Sequence, residues 1–197
     1  MKRILISQRV DVIESYKERR DALDQNWARF LYNAGFLGIP VFNHEETLKE
    51  LLVSAQIDGI ILSGGNSHAE YGGSAPERDK TDNCLISYAS DKKLPLLGVC
   101  RGMQSIAIYF GGSLQKVTGH TAVRHNIDIN RNVNSYHEYS PSALPDSLEI
   151  ISKSQDGQIE YIKHKEFPIT GIMWHPERES PFKEEDINLI KIIFGGN

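Results

Sequence analysis

Cysteine is scarce in this chain: Cys84 and Cys100 are the two among 197 residues, and their spacing matches no metal-binding or redox pattern. A disulfide framework and a cysteine-built zinc site are thereby excluded, and a reducing, cytoplasmic setting is expected. Long apolar runs are missing too. No stretch approaches the roughly 18 consecutive apolar residues of a membrane span, and the N-terminal MKRILISQRV is interrupted by Gln8 and Arg9 too soon to serve as a signal peptide or anchor. Nor is there a tract of one charge sign. With 22 basic and 26 acidic residues the net charge is −4, and Lys and Arg nowhere gather into the patch that follows a phosphate backbone. The expected partner is a small molecule, with no nucleic acid and no membrane. Repeats, low-complexity segments and linkers are absent as well, so residues 1–197 are read as a single domain.

What is present is a regular alternation. Short apolar runs at Ile4–Ile6, Ile39–Phe42, Gly59–Leu62 and Leu94–Val99 have the length and composition of buried parallel strands. Between them lie helical patterns. Leu23, Trp27, Phe30, Leu31 and Ala34 recur at steps of three and four, which predicts a helix over 16–34 capped by Gly35. Further helices are expected at 45–55, 81–92 and 101–110, and a last one starting at Ser180-Pro181. From Val117 onward the pattern becomes strand-rich, with Asp156-Gly157 set as a hairpin turn between 148–152 and 158–162. Strands alternating with helices imply a three-layer α/β sandwich with a mostly parallel central sheet, plus a small antiparallel section in the second half.

The segment Leu94-Pro-Leu-Leu-Gly-Val-Cys-Arg-Gly-Met-Gln104 joins an apolar strand to a helix through Gly98-x-Cys100-x-Gly102. That is the pattern of a nucleophile elbow, with the thiol pushed out of the sheet and the helix N-terminus favouring its reactive thiolate. A thiolate needs a base held in one tautomer by an acceptor. His175 and Glu177, two apart in Thr170-Gly-Ile-Met-Trp-His-Pro-Glu177, can converge in an extended chain. The oxyanion of a tetrahedral intermediate needs two donors. One is the backbone N–H of Arg101; the other is expected from Ser63-Gly64-Gly65, specifically Gly65, because this loop ends a neighbouring strand at the same sheet edge. Cys84 lacks such a setting and is read as a helix core residue.

These residues resemble the class I glutamine amidotransferase superfamily, and within it the peptidase-like branch that includes γ-glutamyl-γ-aminobutyrate hydrolase. The markers are Ser63-Gly-Gly65, Pro76-Glu-Arg-Asp79, Leu97-Gly-Val-Cys-Arg-Gly-Met-Gln104, Gly111-Gly-Ser-Leu114, Asn134-Ser-Tyr-His137, Asp156-Gly157 and Gly171-Ile-Met-Trp-His-Pro-Glu177. The resemblance implies a flavodoxin-like fold and hydrolysis of a γ-glutamyl amide through a thioester on Cys100. It implies that Gln104 and the backbone around Ser135, Tyr136 and His137 grip the α-amino and α-carboxylate ends of the glutamyl group. At whole-chain level the chain looks most like the small hydrolases of bacterial capsule phosphoramidate synthesis, which implies γ-glutamyl-CDP-amidate as substrate.

The departures fall on the leaving-group side. Asn66-Ser67-His68 stands where the family often has an acidic residue, which weakens any expectation of a γ-aminobutyrate leaving group. Arg9, Arg19 and Arg20 are candidate contacts to a diphosphate. His120, Arg124 and His125 are read as solvated surface. No cofactor and no metal is expected. Two other functions compete: a glutaminase that hands ammonia to a synthase partner, and a binding protein that kept the fold but lost catalysis. The second is disfavoured because all three triad side chains are present.

Overall fold

The computed structural model describes residues 1–195. Among these, the central sheet takes β1 (Lys2–Ile6), β4 (Phe36–Pro40), β5 (Gly59–Leu62), β6 (Leu96–Val99), β11 (Leu148–Lys153), β12 (Ile159–His164) and β13 (Ile169–Ile172). Three two-stranded ribbons stand outside it: β2 (Arg9–Ile13) with β3 (Glu18–Ala22), β7 (Ser113–Lys116) with β10 (Tyr139–Ala143), and β8 (Thr121–Ile127) with β9 (Arg131–Tyr136). The helices are α1 (Asn26–Ala34), α2 (Glu45–Ser54), α3 (Pro76–Lys92), α4 (Arg101–Tyr109) and α5 (Glu184–Ile193). The sheet order is β11-β12-β13-β6-β5-β1-β4. The five strands from β13 to β4 pair in parallel, while β11 and β12 add an antiparallel edge.

Side-chain alternation along each strand sorts the core into two layers. Ile4, Ile6 and Ile61 pack with Trp27, Phe30 and Leu31 of α1 and Ile187 and Ile190 of α5. Leu5, Ile60 and Leu62 face the other way, onto Leu48 and Leu52 of α2, Leu85 and Ile86 of α3, and Met103 and Ile106 of α4. The expected α/β sandwich is therefore present, with a mostly parallel sheet covered on both faces. No described helix is long and apolar enough to cross a membrane.

Local differences from the sequence reading have physical causes. The helix expected from residue 16 begins only at Asn26, because residues 16–22 bring no apolar side chains at helical spacing and instead pair back on β2. The buried stripe of α1 is Trp27, Phe30, Leu31 and Ala34, and Gly35 caps it at φ 90° as expected. The last helix starts at Glu184 rather than at Ser180-Pro181. Phe182 lies edge-on against Phe30 at 5.3 Å and Lys183 is extended, so the first turn falls on Glu184, Glu185 and Asp186, whose charges suit a helix N-terminus. In the other direction, α3 reaches back to Pro76, a favoured first-turn residue. Cys84 lies half-buried on α3 against the second core layer.

Candidate active site

Cys100 sits between β6 and α4 at φ 53° and ψ −106°, only 6% exposed. Such a backbone costs a non-glycine residue about 1–3 kcal/mol, and neighbouring bonds enforce it. Cys100 N–H donates to the Ile172 carbonyl at 2.7 Å, while the Cys100 carbonyl accepts from Gln104 N–H at 3.1 Å. The elbow also depends on close approach: a Cβ on Gly102 would stand 2.1 Å from the Leu62 carbonyl oxygen, so α4 rests on β5 only because that side chain is missing.

His175 follows β13, the strand beside β6, so the ring and the thiol share the carboxyl edge of the sheet. His175 is extended as expected, but Pro176–Arg178 then forms one 3₁₀ turn, and this turn rather than a straight strand brings Glu177 round. His175 Nδ1 and Glu177 Oε1 are 2.7 Å apart, both side chains buried. A carboxylate only accepts, so Nδ1 carries the proton toward it. Burial pushes the imidazole pKa down, yet Glu177 and Cys100 outweigh that and hold it up at about 9. Asn134 fixes the ring's backbone from the other side. Its Oδ1 accepts from His175 N–H at 2.8 Å, and its Nδ2 donates to the His175 carbonyl at 2.8 Å.

The loop after β5 is shaped by a wholly buried guanidinium. Arg78 donates to the carbonyls of Ser63 at 2.6 Å and Gly64 at 3.0 Å, and also to the Gly65 carbonyl. Burial, reinforced by the charge of Arg101, pushes Arg78 down to about 9, which still leaves it charged at neutral pH. Because the peptide is planar and trans, drawing the Gly64 carbonyl toward Arg78 turns Gly65 N–H to the opposite side. Asn66 ties the loop to β2, accepting from Val10 N–H at 2.8 Å and donating to the Val10 carbonyl at 2.9 Å. The Arg101 side chain points away from the elbow into Asp79 and Asp82 of α3 and so anchors α4.

Two cavities of about 280 Å³ each flank these residues. One is lined by Gly65, Cys100, Arg101, Gln104, Tyr136 and His137. Gln104 Nε2 donates to the Tyr139 carbonyl at 2.8 Å across it. Ser135 stands behind this wall, its Oγ donating to the His120 carbonyl at 2.7 Å. The other cavity runs from Gly64, His175 and Glu177 to Arg9, Trp27 and Arg178. Arg19 and Arg20 do not line it. Arg19 is held by Glu77 and the Ser74 carbonyl, and Arg20 by Glu18 and Tyr16. A larger cavity of about 620 Å³ opens between α2 and α3 around Lys49, Cys84 and Tyr88, with none of the triad near it.

One expectation fails here. His120 is 3% exposed and His125 half-buried, so neither is solvated surface, whereas Arg124 is exposed and pairs with Glu179. The β8–β9 pairing turns the two histidines inward. Arg78 and Asn134 are the residues that sequence reasoning left without a role. Both stand inside quoted motifs, Pro76-Glu-Arg-Asp79 and Asn134-Ser-Tyr-His137, and that was the available signal.

An elbow cysteine, a His–Glu pair on the adjacent strand and a parallel sheet with its ligand edge at the same end define one class of protein, and the comparisons agree. The family model "Glutamine amidotransferase class-I" matches residues 16–192, and the chain belongs to that family of enzymes. Among curated relatives, γ-glutamyl-CDP-amidate hydrolase of Campylobacter jejuni is 31% identical over 180 residues, 89% of this chain and 90% of that protein. A glutamine-hydrolysing GMP synthase component of Methanocaldococcus jannaschii is 33% identical over 142 residues, 66% of this chain and 70% of that one. A crystal structure of a putative GMP synthase component from Thermoplasma acidophilum superposes with a TM-score of 0.76 at 22% identity, covering 99% of this chain and 93% of that chain, which bears on the fold alone.

Proposed function

We propose that the chain is a cysteine hydrolase of γ-glutamyl amides, with Cys100 as nucleophile, His175 as general acid and base, and Glu177 as its orienting partner. The observation that carries this is the elbow cysteine at φ 53° beside an imidazole held 2.7 Å from a buried carboxylate. In the proposed course, Cys100 Sγ bonds to the γ-carbonyl carbon and the oxyanion meets the N–H groups of Gly65 and Arg101. The tetrahedral adduct collapses as the C–N bond breaks, and His175 gives its proton to the leaving nitrogen. Water then adds to the thioester carbonyl as His175 takes its proton, the C–S bond breaks to return the Cys100 thiolate beside the protonated His175, and glutamate leaves. Gln104, Ser135, Tyr136 and His137 form or back the glutamyl side, where the cavity at Cys100 lies.

Arg78 acts in this scheme through the loop it holds. Arg78→Lys keeps the charge but cannot reach three carbonyls at once, so kcat is expected to fall about a hundredfold, the scale of losing one oxyanion donor, with KM little changed. Steady-state kinetics on any accepted γ-glutamyl amide checks this. A kcat within about threefold of wild type would show that the loop keeps its shape unaided.

The specific substrate we propose is γ-glutamyl-CDP-amidate, split to glutamate and cytidine diphosphoramidate. Support comes from the Campylobacter relative and from the second cavity, where Arg9, paired with Asp11, and Arg178 stand beside His175 among the carboxylates of Asp11, Asp24 and Glu177. Arg9→Ala is expected to cost roughly 10- to 100-fold in kcat/KM on this substrate, the value of a charge-assisted contact, and little on γ-glutamyl-γ-aminobutyrate. Arg19→Ala and Arg20→Ala, further along the same ribbon, report how far the leaving group extends. Equal loss on both substrates, or a wild-type preference for γ-glutamyl-γ-aminobutyrate, would return the assignment to that hydrolase. The GMP synthase relatives favour a second reading, a glutaminase delivering ammonia to a synthase partner. Steady ammonia release from free glutamine by the isolated chain would select it.

A further inference from the structure

Four side chains that the triad does not use converge on one buried point. His120 lies just before β8, His125 within it, His137 just after β9, and Glu160 in β12 of the central sheet. His120 and His137 are each 3% exposed, Glu160 is 0% exposed and His125 is half-buried. Glu160 Oε1 is 3.2 Å from His125 Nε2, 3.3 Å from His137 Nε2 and 3.6 Å from His120 Nδ1. Yet these three nitrogens and both Glu160 oxygens have no hydrogen-bond partner among the described residues.

The outer nitrogens explain what the inner ones carry. His120 Nε2 is 2.8 Å from Asp156 Oδ2, and His137 Nδ1 is 3.1 Å from the Tyr139 carbonyl. Carboxylate and carbonyl oxygens only accept, so those outer nitrogens hold the ring protons and the inner ones present lone pairs. Lone pairs of two neutral rings, with the Nε2 of a third beside them, therefore face a buried carboxylate. One proton relieves one of these contacts. Protonating every ring would set three positive charges against the two carboxylates of Glu160 and Asp156, largely away from water, which is costlier still. A cation between His120, His137 and Glu160 satisfies their facing atoms together.

The spacing matches such an ion. Zinc bonds of 2.0–2.1 Å place tetrahedral ligands about 3.3–3.4 Å apart, and the separations from Glu160 Oε1 bracket that value. The ligand atoms of His120, His137 and Glu160 all lie within 4.8 Å of one another, a set that does not include His125, which meets Glu160 alone. Two imidazoles and one carboxylate suit zinc or a similar divalent transition ion far better than calcium or magnesium, which call for oxygen. The bond from Asp156 to His120 is the usual outer support of a metal-bound imidazole.

We infer that His120, His137 and Glu160, with His125 beside them at Glu160, form a site for one divalent transition-metal ion, zinc by its donor set, which fastens the β8–β9 ribbon to β12. This departs from the expectation of a metal-free chain, which was drawn from the cysteines. Three protein ligands from the ribbon and the sheet hold the ion between them, and its role is to tie those two pieces of chain together. The same ribbon carries Tyr136 and His137 into the cavity beside Cys100, so the ion sets one wall of the glutamyl side. That last consequence rests on the proposed function; the ion site itself does not.

The test counts metal. Full-length protein without an affinity tag is stripped with a chelator, titrated with zinc, and assayed by mass spectrometry of the bound element and by thermal melting. Wild type is expected to take up one zinc per chain, with Tm raised by zinc and lowered by the chelator. Cys100→Ser is expected to bind zinc equally well, whereas Glu160→Gln and His120→Ala lose both the uptake and the zinc-dependent Tm shift. If either of these does not fold, His125→Ala decides at a half-buried position and is expected to weaken zinc binding about tenfold or more. Wild type holding less than about a tenth of a zinc per chain at micromolar zinc would overturn the site. So would uptake that survives Glu160→Gln, His120→Ala and His125→Ala, or that vanishes with Cys100→Ser. A fully active Cys100→Ala protein would sink the catalytic reading and leave these metal counts unchanged.

Discussion

Cys100→Ala is expected to hydrolyse γ-glutamyl substrates at least about 10⁴-fold more slowly than wild type, because no other group in the elbow can form the thioester. Cys100→Ser should be nearly as slow, since a hydroxyl lacks thiolate character. Neither change should collapse the fold: the positive φ at this position is set by the bonds from Ile172 and Gln104 and by Gly102 against Leu62, all of which remain. Glutamate release measured against melting temperature separates the two effects. Intact-protein mass after rapid quenching adds a direct readout, with a glutamyl adduct on wild type and none on the alanine variant. Activity above about a hundredth of wild type in either variant would remove Cys100 from the mechanism.

His175→Asn is expected to cost almost as much, about 10³-fold or more in kcat, because both the leaving nitrogen and the attacking water then lack a proton partner. Glu177→Gln should cost less, since Gln still accepts a hydrogen bond from Nδ1 but brings no charge. The pH profile distinguishes these roles. The His175 imidazole is held at about 9 by Glu177 and Cys100 against the effect of burial. Its unfolded value is about 6.5. A folded pKa above the unfolded one means that the stabilisation is fully present below about pH 6.5 and disappears as pH rises through about 9. The imidazolium that protonates the leaving group is lost over the same alkaline range. kcat/KM is therefore expected to fall near pH 9 in wild type. In Glu177→Gln one of the two raising influences is gone, so the alkaline limb should move to lower pH. An unmoved limb would show that another group sets it.

Much of this arrangement was legible in the residues because it is local. Gly98-x-Cys100-x-Gly102 encodes a strand-to-helix turn within a few positions, and the buried runs at Gly59–Leu62 and Leu96–Val99 report parallel strands directly. The helix stripe of Trp27, Phe30, Leu31 and Ala34 was equally plain, but its start was not. Residues 18–22 form a strand through pairing with β2, and neither segment announces that by itself. Long-range pairing also hid Arg78, whose partners lie 13 to 15 positions back on another loop. It hid His120 too, whose inward turn depends on β9 and on Glu160, forty positions away. A polar residue reads as solvated until the partner that buries it is known.

The proposed reacting groups follow β5, β6 and β13 of the parallel sheet, whereas the two cavities are walled by separate ribbons, β8–β9 on one side and β2–β3 on the other. On the proposed reading, the chemistry and the two ends of the substrate sit on different pieces of chain, joined by contacts such as Asn66 to Val10, Arg19 to Glu77 and Asn134 to His175. If the amine side lies as proposed, changes within residues 9–22 exchange one amine for another while Cys100, His175 and Glu177 keep their places. On that reading, a β2–β3 hairpin grafted from a relative brings that relative's leaving-group preference with it and leaves the reacting centre untouched.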